Sequence, residues 1–297
     1  MRPKQKILII VGPTSSGKSA LAVSLARKFG GEVISADSRQ VYRGLDIGTG
    51  KITKLEMKGV PHHLLDEMSS HRIFTAHDFA EKARAAVSDI TARGKLPILA
   101  GGTGLYLDVL TGRVTLPNVP VNKKLRARLS KKTPAQLFSL LKKRDPERAK
   151  TIDPHNPRRL IRALEVTATL GTVPKPAAYR SLYNALWIGL DVDLSKLEKK
   201  IASRLSTRLK RGMLAEARKL HKEGLSFKRM EALGLEYRAL ARLLQKKTTR
   251  DELEKELFYD IRRFAKRQMT YWKRNKEIQW FKPKEKRRIE ARVKKWL

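Results

Sequence analysis

A glycine-rich octapeptide near the start of the chain constrains the fold more than any other feature. Residues 12–19 read Gly-Pro-Thr-Ser-Ser-Gly-Lys-Ser, which is the pattern G-x-x-x-x-G-K-S. An apolar run, Ile7 to Val11, precedes them, and an Ala- and Leu-rich segment, Ser19 to Phe29, follows. Between a strand and a helix, such a loop surrounds phosphate oxygens with backbone N–H groups, a lysine charge and the helix dipole. We therefore predict a phosphate-binding loop, which nucleotides and pyrophosphate esters both fit.

The loop supplies the first predicted ligand-binding residues. They are Gly12, Pro13, Thr14, Ser15, Ser16, Gly17, Lys18 and Ser19. The hydroxyl of Ser19 is also the predicted ligand of a Mg²⁺ cofactor, because the serine of this motif holds that ion beside the phosphates.

The segments after the loop predict a parallel sheet. Glu32 to Ser35 starts a second strand, so the loop lies in a βαβ unit. A capping box at Thr75 begins a helix that ends at Gly94. Leu96 to Ala100 is then a buried strand that ends in the turn 101–104, Gly-Gly-Thr-Gly, whose backbone we expect to approach a ligand closely.

A change of character from about Leu116 predicts a second domain. Prolines punctuate short basic helical stretches there, without a strand pattern. We predict an α/β fold, a P-loop NTPase-like parallel sheet flanked by helices, with an all-helical insertion at residues 117–184. Residues 1–116 and 185–297 then form the core, the latter with a return strand at 186–190, a long helix at 249–274, a short edge strand at 278–281 and a basic tail.

The net charge indicates a polyanionic partner. The chain has 66 Lys and Arg against 29 Asp and Glu, a formal charge of +37. Residues 121–180 carry 16 basic and 4 acidic side chains, and residues 262–297 carry 15 and 3, against 16 and 10 in residues 1–110. Two segments are therefore candidate surfaces for a nucleic-acid backbone. A Lys-rich proteome would produce a similar excess without such a partner.

Other partners and compartments are disfavoured by composition. The chain has no cysteine, which excludes disulfides and Cys-ligated zinc. No apolar run approaches the roughly 18 to 20 residues of a membrane-spanning helix, and no signal-peptide pattern precedes the first strand. We expect a cytoplasmic protein that does not enter a membrane.

Asp37 is the first candidate for chemistry. It follows the second strand beside the phosphate-binding loop, where ligands of open α/β sheets bind. A carboxylate there can ligate Mg²⁺ or act as a general base, and it can equally be a solvated loop residue or a helix N-cap. The strand-end acid of most P-loop NTPases has no clear counterpart, since only Asp191 follows an apolar strand and Asp193 beside it equally fits a helix start.

Six ordered motifs resemble one family, the tRNA dimethylallyltransferases. They span residues 12–19, 35–42, 44–49, 61–66, 101–106 and 156–165. The similarity continues to residues 265–270, which covers nearly the whole chain. The string Gly234-Leu235-Glu236-Tyr237-Arg238 departs from the family's Gly-Tyr-Arg/Lys-Glu, so an RNA-binding role there is less secure.

The resemblance implies a reaction and its catalytic residues. The phosphate-binding loop would hold the pyrophosphate of dimethylallyl pyrophosphate, and the prenyl group would pass to N6 of the adenosine immediately 3′ of the anticodon in tRNA. Asp37 would be the base that takes the N6 proton. Lys18, Thr103 and Arg204, the last by its place in Lys200-Ile201-Ala202-Ser203-Arg204, would stabilise the leaving pyrophosphate.

The same resemblance implies the contacts with tRNA. Asp37, Ser38, Arg39, Gln40 and Thr103 would surround the adenine, which must leave its stack to be reached. The remaining implied contacts are Arg126, Arg158, Arg159, Leu160, Ile161 and Arg162. Arg158 and Arg162 are four residues apart, so they share a helix face that could hold the anticodon stem-loop. One RNA per site suggests a monomer.

Two other functions remain open on the residues alone. A P-loop kinase of a nucleoside or small metabolite would explain the first 110 residues but leaves the two basic segments unused. A non-catalytic or ATP-driven RNA-binding protein would use the basic segments, but it leaves Asp37 and Thr103 without a role.

Overall fold

The computed structural model describes residues 4–175 and 181–297. Its strands are β1 Lys6–Val11, β2 Gly31–Ser35, β3 His62–His63, β4 Leu96–Ala100, β5 Asn184–Leu190 and β6 Gln279–Phe281. They form one sheet in the order β3-β2-β4-β1-β5-β6, and every neighbouring pair is parallel. The predicted α/β fold with a parallel sheet is confirmed.

Helices cover both faces of this sheet and make up the insertion. Those assigned in the described ranges are α1 Lys18–Phe29, α2 Lys54–Met57, α3 Ala76–Ala92, α4 Gly104–Thr111, α5 Lys123–Leu129, α6 Pro134–Arg144, α7 Pro146–Thr151, α8 Pro157–Leu170, α9 Leu194–Lys210, α10 Met213–Lys222, α11 Phe227–Leu233, α12 Leu235–Leu244, α13 Arg250–Trp272 and α14 Lys286–Trp296. None of the helices among these residues is long and apolar enough to cross a membrane.

Local sequence signals explain several element boundaries. Thr75 caps α3 through a capping box with Asp78, as predicted, and the helix stops at Arg93, before Gly94 with its φ of 68°. Thr249 caps α13 in the same way with Glu252. The two-residue strand β3 was not predicted, because so short a strand has no periodic pattern and depends on pairing with β2.

Alternating side chains of β1 separate two apolar cores. Ile7, Ile9 and Val11 pack on one face of the sheet in a core that also contains Trp187 and Trp272. Leu8 and Ile10 face the other side, where the core includes α1 and the two α14 residues Ile289 and Val293. With both faces covered, the carboxyl-terminal edge of the strands remains the place for polar side chains.

The chain divides into two compact units. The core unit comprises Met1–Arg113 and Ser181–Leu297, and the helical unit comprises Val114–Arg180. The helical unit has its own apolar core, in which Leu137, Leu141 and Leu160 are fully buried. Within its described part, α5 to α8 are its regular elements; residues 176–180, which belong to the predicted insertion, lie outside the described residues.

Candidate active site

The phosphate-binding loop connects β1 to α1. Gly12 has a φ of 145°, and a Cβ there would lie 2.9 Å from the carbonyl oxygen of Leu190 on β5. Gly17, with a φ of 99°, precedes the first turn of α1. Both glycines therefore satisfy backbone requirements that other residues meet only with strain. The hydroxyl of Ser16 is buried and has no hydrogen-bond partner within the described structure.

The side chain of Lys18 is held by the backbone of the phosphate-binding loop. Its Nζ donates to the carbonyl oxygen of Pro13 at 2.7 Å. Desolvation lowers the pKa of Lys18 to about 8, the carboxylate of Asp37 opposes this shift, and the guanidinium of Arg204 adds to it. A dianionic phosphate group placed here would restore the charge of the ammonium, since an anion favours the protonated form.

Asp37 and Thr103 are fixed at the ends of the neighbouring strands β2 and β4. Oδ1 of Asp37 accepts from the backbone N–H groups of Arg39 at 2.8 Å and Gln40 at 3.4 Å. Oγ1 of Thr103 accepts from the N–H of Ser38 at 3.0 Å, and the Thr103 N–H donates to Ala36 O. The hydroxyl proton of Thr103 therefore remains available for donation to another group.

A cavity of about 670 Å³ brings together part of the predicted set of the core unit. Thr14, Ser15, Gly17, Lys18, Ser19, Asp37, Gln40 and Arg204 all line it. Apolar side chains, among them Val23, Ile52 and Phe264, line it as well. Thr103 is not a lining residue, although the adjoining Gly101 and Gly102 are. Arg204 approaches the phosphate-binding loop by a long hydrogen bond of 3.4 Å to Ser15 Oγ.

The glycines of the turn after β4 make room for protein atoms. Gly101 and Gly102 also line the cavity, and the expected approach of their backbone to a ligand stays a prediction. A Cβ at Gly101 would overlap the backbone of Ala36, one at Gly102 the amide of Gln268, and one at Gly104 the ring of Tyr271. Gln268 and Tyr271 lie on α13, more than 160 residues away in sequence. No local pattern could have revealed these contacts.

A second loop, at residues 44–49, is anchored by Glu216 of α10. The carboxylate accepts from three consecutive backbone N–H groups, those of Asp46, Ile47 and Gly48, at 2.7 to 3.0 Å. The hydroxyl of Tyr237 also donates to Glu216, at 2.6 Å. Burial and the neighbouring carboxylate raise the pKa of Tyr237. Its side chain is 1% exposed, so it supports this loop rather than offering a surface to RNA.

Asp191 and Asp193, noted in the sequence, and the adjacent histidines His62 and His63 have structural partners. Asp191 forms an ion pair with Lys282 at 2.8 Å, and Asp193 forms another with the same lysine at 3.1 Å. Nε2 of His63 lies 2.7 Å from Glu32, and Nδ1 of His62 lies 2.9 Å from Val60 O. Among the described residues, no group of three or more His, Cys, Asp or Glu side chains could hold a metal ion by itself.

The helical unit presents the predicted arginines in two different ways. Arg158 and Arg159 are exposed in the first turn of α8. Arg126 and Arg162 both bind the carboxylate of Glu165, at 2.6 Å each, and Glu165 is 1% exposed. Leu160 is fully buried in the helical core, so in this structure it presents no surface to RNA.

Comparison with known proteins matches the chain to one family. The IPP transferase family model matches residues 40–275. The chain belongs to this family. A tRNA dimethylallyltransferase of Anoxybacillus flavithermus is 37% identical over 99% of this chain and 95% of its own length. A tRNA dimethylallyltransferase 2 of Treponema denticola is 44% identical over 91% of this chain and 92% of its own length.

Solved structures agree with the family assignment. A tRNA isopentenylpyrophosphate transferase of Bacillus halodurans superimposes with a TM-score of 0.75 at 35% identity, over 99% of this chain and 97% of that one. A eukaryotic dimethylallyltransferase acting on tRNA superimposes with a TM-score of 0.78 at 28% identity, over 90% of this chain and 70% of that one. The chain is therefore an enzyme of the IPP transferase family, as the six ordered motifs predicted.

Proposed function

We propose that the enzyme transfers the dimethylallyl group of dimethylallyl pyrophosphate to N6 of the adenosine immediately 3′ of the anticodon in tRNA, releasing pyrophosphate. The observation that carries this proposal is the cavity of the core unit, where Lys18 and Ser19 of the phosphate-binding loop share one space with Asp37 and Arg204. A cationic loop for the leaving group and a carboxylate for the acceptor are the two requirements of an alkyl transfer to an amine.

Leaving-group stabilisation is the first task of the site. As the bond between the allylic carbon and the pyrophosphate oxygen breaks, its electron pair stays on the oxygen. Lys18, Arg204 and the N–H groups of the loop are placed to neutralise that charge, and the hydroxyl of Thr103 has a proton left to donate. The apolar lining at Val23, Ile52 and Phe264 offers a surface for the five-carbon prenyl group.

Removal of the N6 proton is the second task. The exocyclic amine is weakly basic because its lone pair is delocalised into the ring, so loss of its proton must accompany C–N bond formation. Oδ1 of Asp37 is occupied by the N–H groups of Arg39 and Gln40, whereas Oδ2 forms no hydrogen bond within the described structure. We assign Oδ2 as the atom that takes the proton.

The adenine itself has to leave its stack before N6 can reach Asp37. Ser38, Arg39 and Gln40 follow Asp37 directly, and Gln40 lines the cavity. The amide of Gln40 also donates to Gly50 O at 3.4 Å, directly after the loop that Glu216 anchors. These residues are our candidates for the walls around the flipped base.

The donor set fits Mg²⁺ carried in with the pyrophosphate. Ser19 and Asp37 contribute hard oxygen atoms to the cavity, too few for an ion cage made by protein alone. Mg²⁺ in phosphate sites keeps one or two protein ligands and completes its shell with phosphate oxygens and water. We propose Ser19 as the protein ligand. When bound, the ion would neutralise part of the charge on the leaving pyrophosphate.

The helical unit is the proposed tRNA-binding region. Its exposed cations include Arg158 and Arg159 on α8. Lys124, Arg128 and Arg144 line an open depression of about 810 Å³ that has no acidic residue in its lining. Such a surface attracts phosphates without reading sequence. Since every proposed catalytic group belongs to one chain, we also propose that a monomer acts, in the cytoplasm where tRNA is found.

One labelling experiment tests the proposal. The protein is mixed with bulk tRNA and either dimethylallyl pyrophosphate labelled in the prenyl group or ATP labelled in the γ-phosphate. We expect the prenyl label alone to become acid-precipitable, in a form that ribonuclease releases. Transfer of the γ-phosphate label, or robust ATP hydrolysis without tRNA, would contradict the prenyl transfer and favour a kinase.

A further inference from the structure

Gln268 connects two loops of the active site through a single side-chain amide. It lies on α13, is 6% exposed and lines the cavity. Its Oε1 accepts from the backbone N–H of Thr14 at 2.8 Å, in the phosphate-binding loop. Its Nε2 donates to the carbonyl oxygen of Gly102 at 3.0 Å, in the turn after β4.

The peptide group that Gln268 binds in the phosphate-binding loop is the one that holds Lys18. The N–H of Thr14 and the C=O of Pro13 belong to the same planar peptide unit. Gln268 accepts from its N–H end, and Nζ of Lys18 donates to its C=O end at 2.7 Å. The orientation of this peptide therefore determines where the ammonium of Lys18 is held.

The second peptide group that Gln268 binds is the one that leads into Thr103. The C=O of Gly102 and the N–H of Thr103 are also the two ends of one unit. Gln268 donates to the C=O end, and the N–H end donates to Ala36 O at 3.1 Å. Because Gly102 has no Cβ, the amide of Gln268 can lie directly against the turn.

The chemistry of the amide suits this double contact. A neutral amide accepts at one atom and donates at the other, whereas a carboxylate only accepts and an ammonium only donates. Tyr271, one turn further along α13, packs against Gly104 and hydrogen-bonds Asp108 through its hydroxyl. The helix is thus held against the turn at two points, which leaves the Gln268 amide little freedom.

We propose that Gln268 is a positioning residue that orients the Pro13–Thr14 and Gly102–Thr103 peptide groups together, and so sets where Lys18 and Thr103 meet the leaving pyrophosphate. This inference rests on the proposed function, because it assigns both groups to one leaving group. A displacement of about 1 Å between them is enough to slow a positioned reaction up to ~10²-fold.

The first test replaces the amide with an apolar group of similar length. In Gln268→Met we expect kcat, at saturating donor and tRNA, to fall about 10- to 100-fold. We expect the tRNA dissociation constant to change little. The thermal midpoint should fall, because methionine fills the space but leaves the Thr14 N–H and the Gly102 carbonyl without their partner. The matched control is Gln245→Met on the C-cap of α12, a part-buried glutamine that does not line the cavity and should keep the wild-type kcat.

The second test uses the pH dependence of a nearly isosteric variant. In Gln268→Glu the ionised carboxylate accepts from Thr14 but cannot donate to Gly102, whereas the protonated carboxyl can do both. We expect the ratio of variant kcat to wild-type kcat to rise as the pH falls from 8 towards 5. The titratable groups lining the same cavity are Asp37, Glu56, Lys18, Arg27, Lys58, Arg204 and Lys286, and the ratio cancels those that titrate alike in both enzymes.

The outcomes separate this inference from the proposed function. If the wild-type enzyme transfers no prenyl group, the proposed function fails. If it does, a kcat of Gln268→Met within about twofold of wild type overturns the inference alone. A Gln268→Glu ratio that stays flat with pH also overturns it, because a side chain that only fills space would not respond to its own protonation.

Discussion

The two units of this enzyme differ in how their polar and charged side chains are held. In the core unit, Lys18, Asp37 and Thr103 are each held by backbone groups, through bonds to Pro13, to Arg39 and Gln40, and to Ser38. In the helical unit most cations are exposed, and residues 121–180 carry 16 basic side chains against 4 acidic ones. The bond-making step needs a few groups at defined positions, whereas holding an RNA backbone needs many charges at approximate ones. Substitutions should therefore affect rate in the first region and affinity in the second.

The largest expected effect is on the base. Asp37→Asn keeps the size of the side chain but cannot take a proton, so transfer should fall ~10²- to 10⁴-fold, the range of general-base catalysis. The tRNA dissociation constant should stay near the wild-type value. Single-turnover rates and filter binding measure the two quantities separately. A loss of less than tenfold would mean that another group takes the N6 proton.

Removal of a leaving-group contact should come next. Lys18→Ala and Thr103→Ala should each slow transfer by ~10² or more, in line with the loss of one charge-stabilising donor. Inorganic pyrophosphate should compete with the prenyl donor in the wild type and bind more weakly to Lys18→Ala. Steady-state inhibition and calorimetry check both points. Undiminished pyrophosphate binding to Lys18→Ala would show that the phosphate-binding loop does not hold the leaving group.

A change in the helical unit should act on affinity instead. Arg158→Ala with Arg159→Ala, both exposed in the first turn of α8, should weaken tRNA binding without weakening donor binding. Each lost phosphate contact should flatten the plot of log affinity against log salt by about 0.7 to 0.9. Transfer should suffer more at subsaturating than at saturating tRNA. The control is Lys142→Ala with Lys143→Ala, which removes the same charge from exposed positions of α6. An equal loss in the control would mean that net charge alone attracts the RNA.

The smallest expected effect is on stability, and it can be compared between one buried carboxylate in each unit. Burial alone would raise the pKa of Glu165, but the hydrogen bonds of Arg126 and Arg162 lower it to about 2. The pKa of Glu32 is also about 2, mainly through its hydrogen bond with Arg93. A carboxyl whose pKa is lowered on folding contributes stability above its ordinary pKa of 4.5, and this is lost as the pH falls towards 2.

Replacing either carboxylate with glutamine should remove the pH dependence of stability that the carboxylate gives to its own unit. Glu165→Gln should destabilise α5 and α8, and Glu32→Gln the core unit, by about 1.5 to 3 kcal/mol at pH 7, the usual worth of a hydrogen bond to a charged group. Between pH 4.5 and 2 the difference from wild type should shrink. Hydrogen exchange resolved by segment reports both units separately. A uniform loss of protection in both would show that the units unfold together.

Much of the fold could be predicted because its signals are local. The apolar run of β1, the loop motif and the capping boxes at Thr75 and Thr249 each lie within a few residues, and the structure contains the corresponding elements. Parallel pairing followed from the βαβ connection. The ordered motifs also indicated the family, which the comparisons confirmed. The catalytic and tRNA-binding assignments remain predictions.

Tertiary structure alone decided the contacts that hold those motifs in place. Gln268 is 254 residues from Thr14 and 166 from Gly102, and Glu216 is about 170 from the backbone groups it binds. The sequence contains each of these residues, but a hydrogen bond between distant segments produces no periodicity or spacing from which it could be predicted. The glycines at 101, 102 and 104 illustrate the same limit. The glycines predicted that another group lies close to the backbone of this turn. Only the structure showed that Ala36, Gln268 and Tyr271 pack against it.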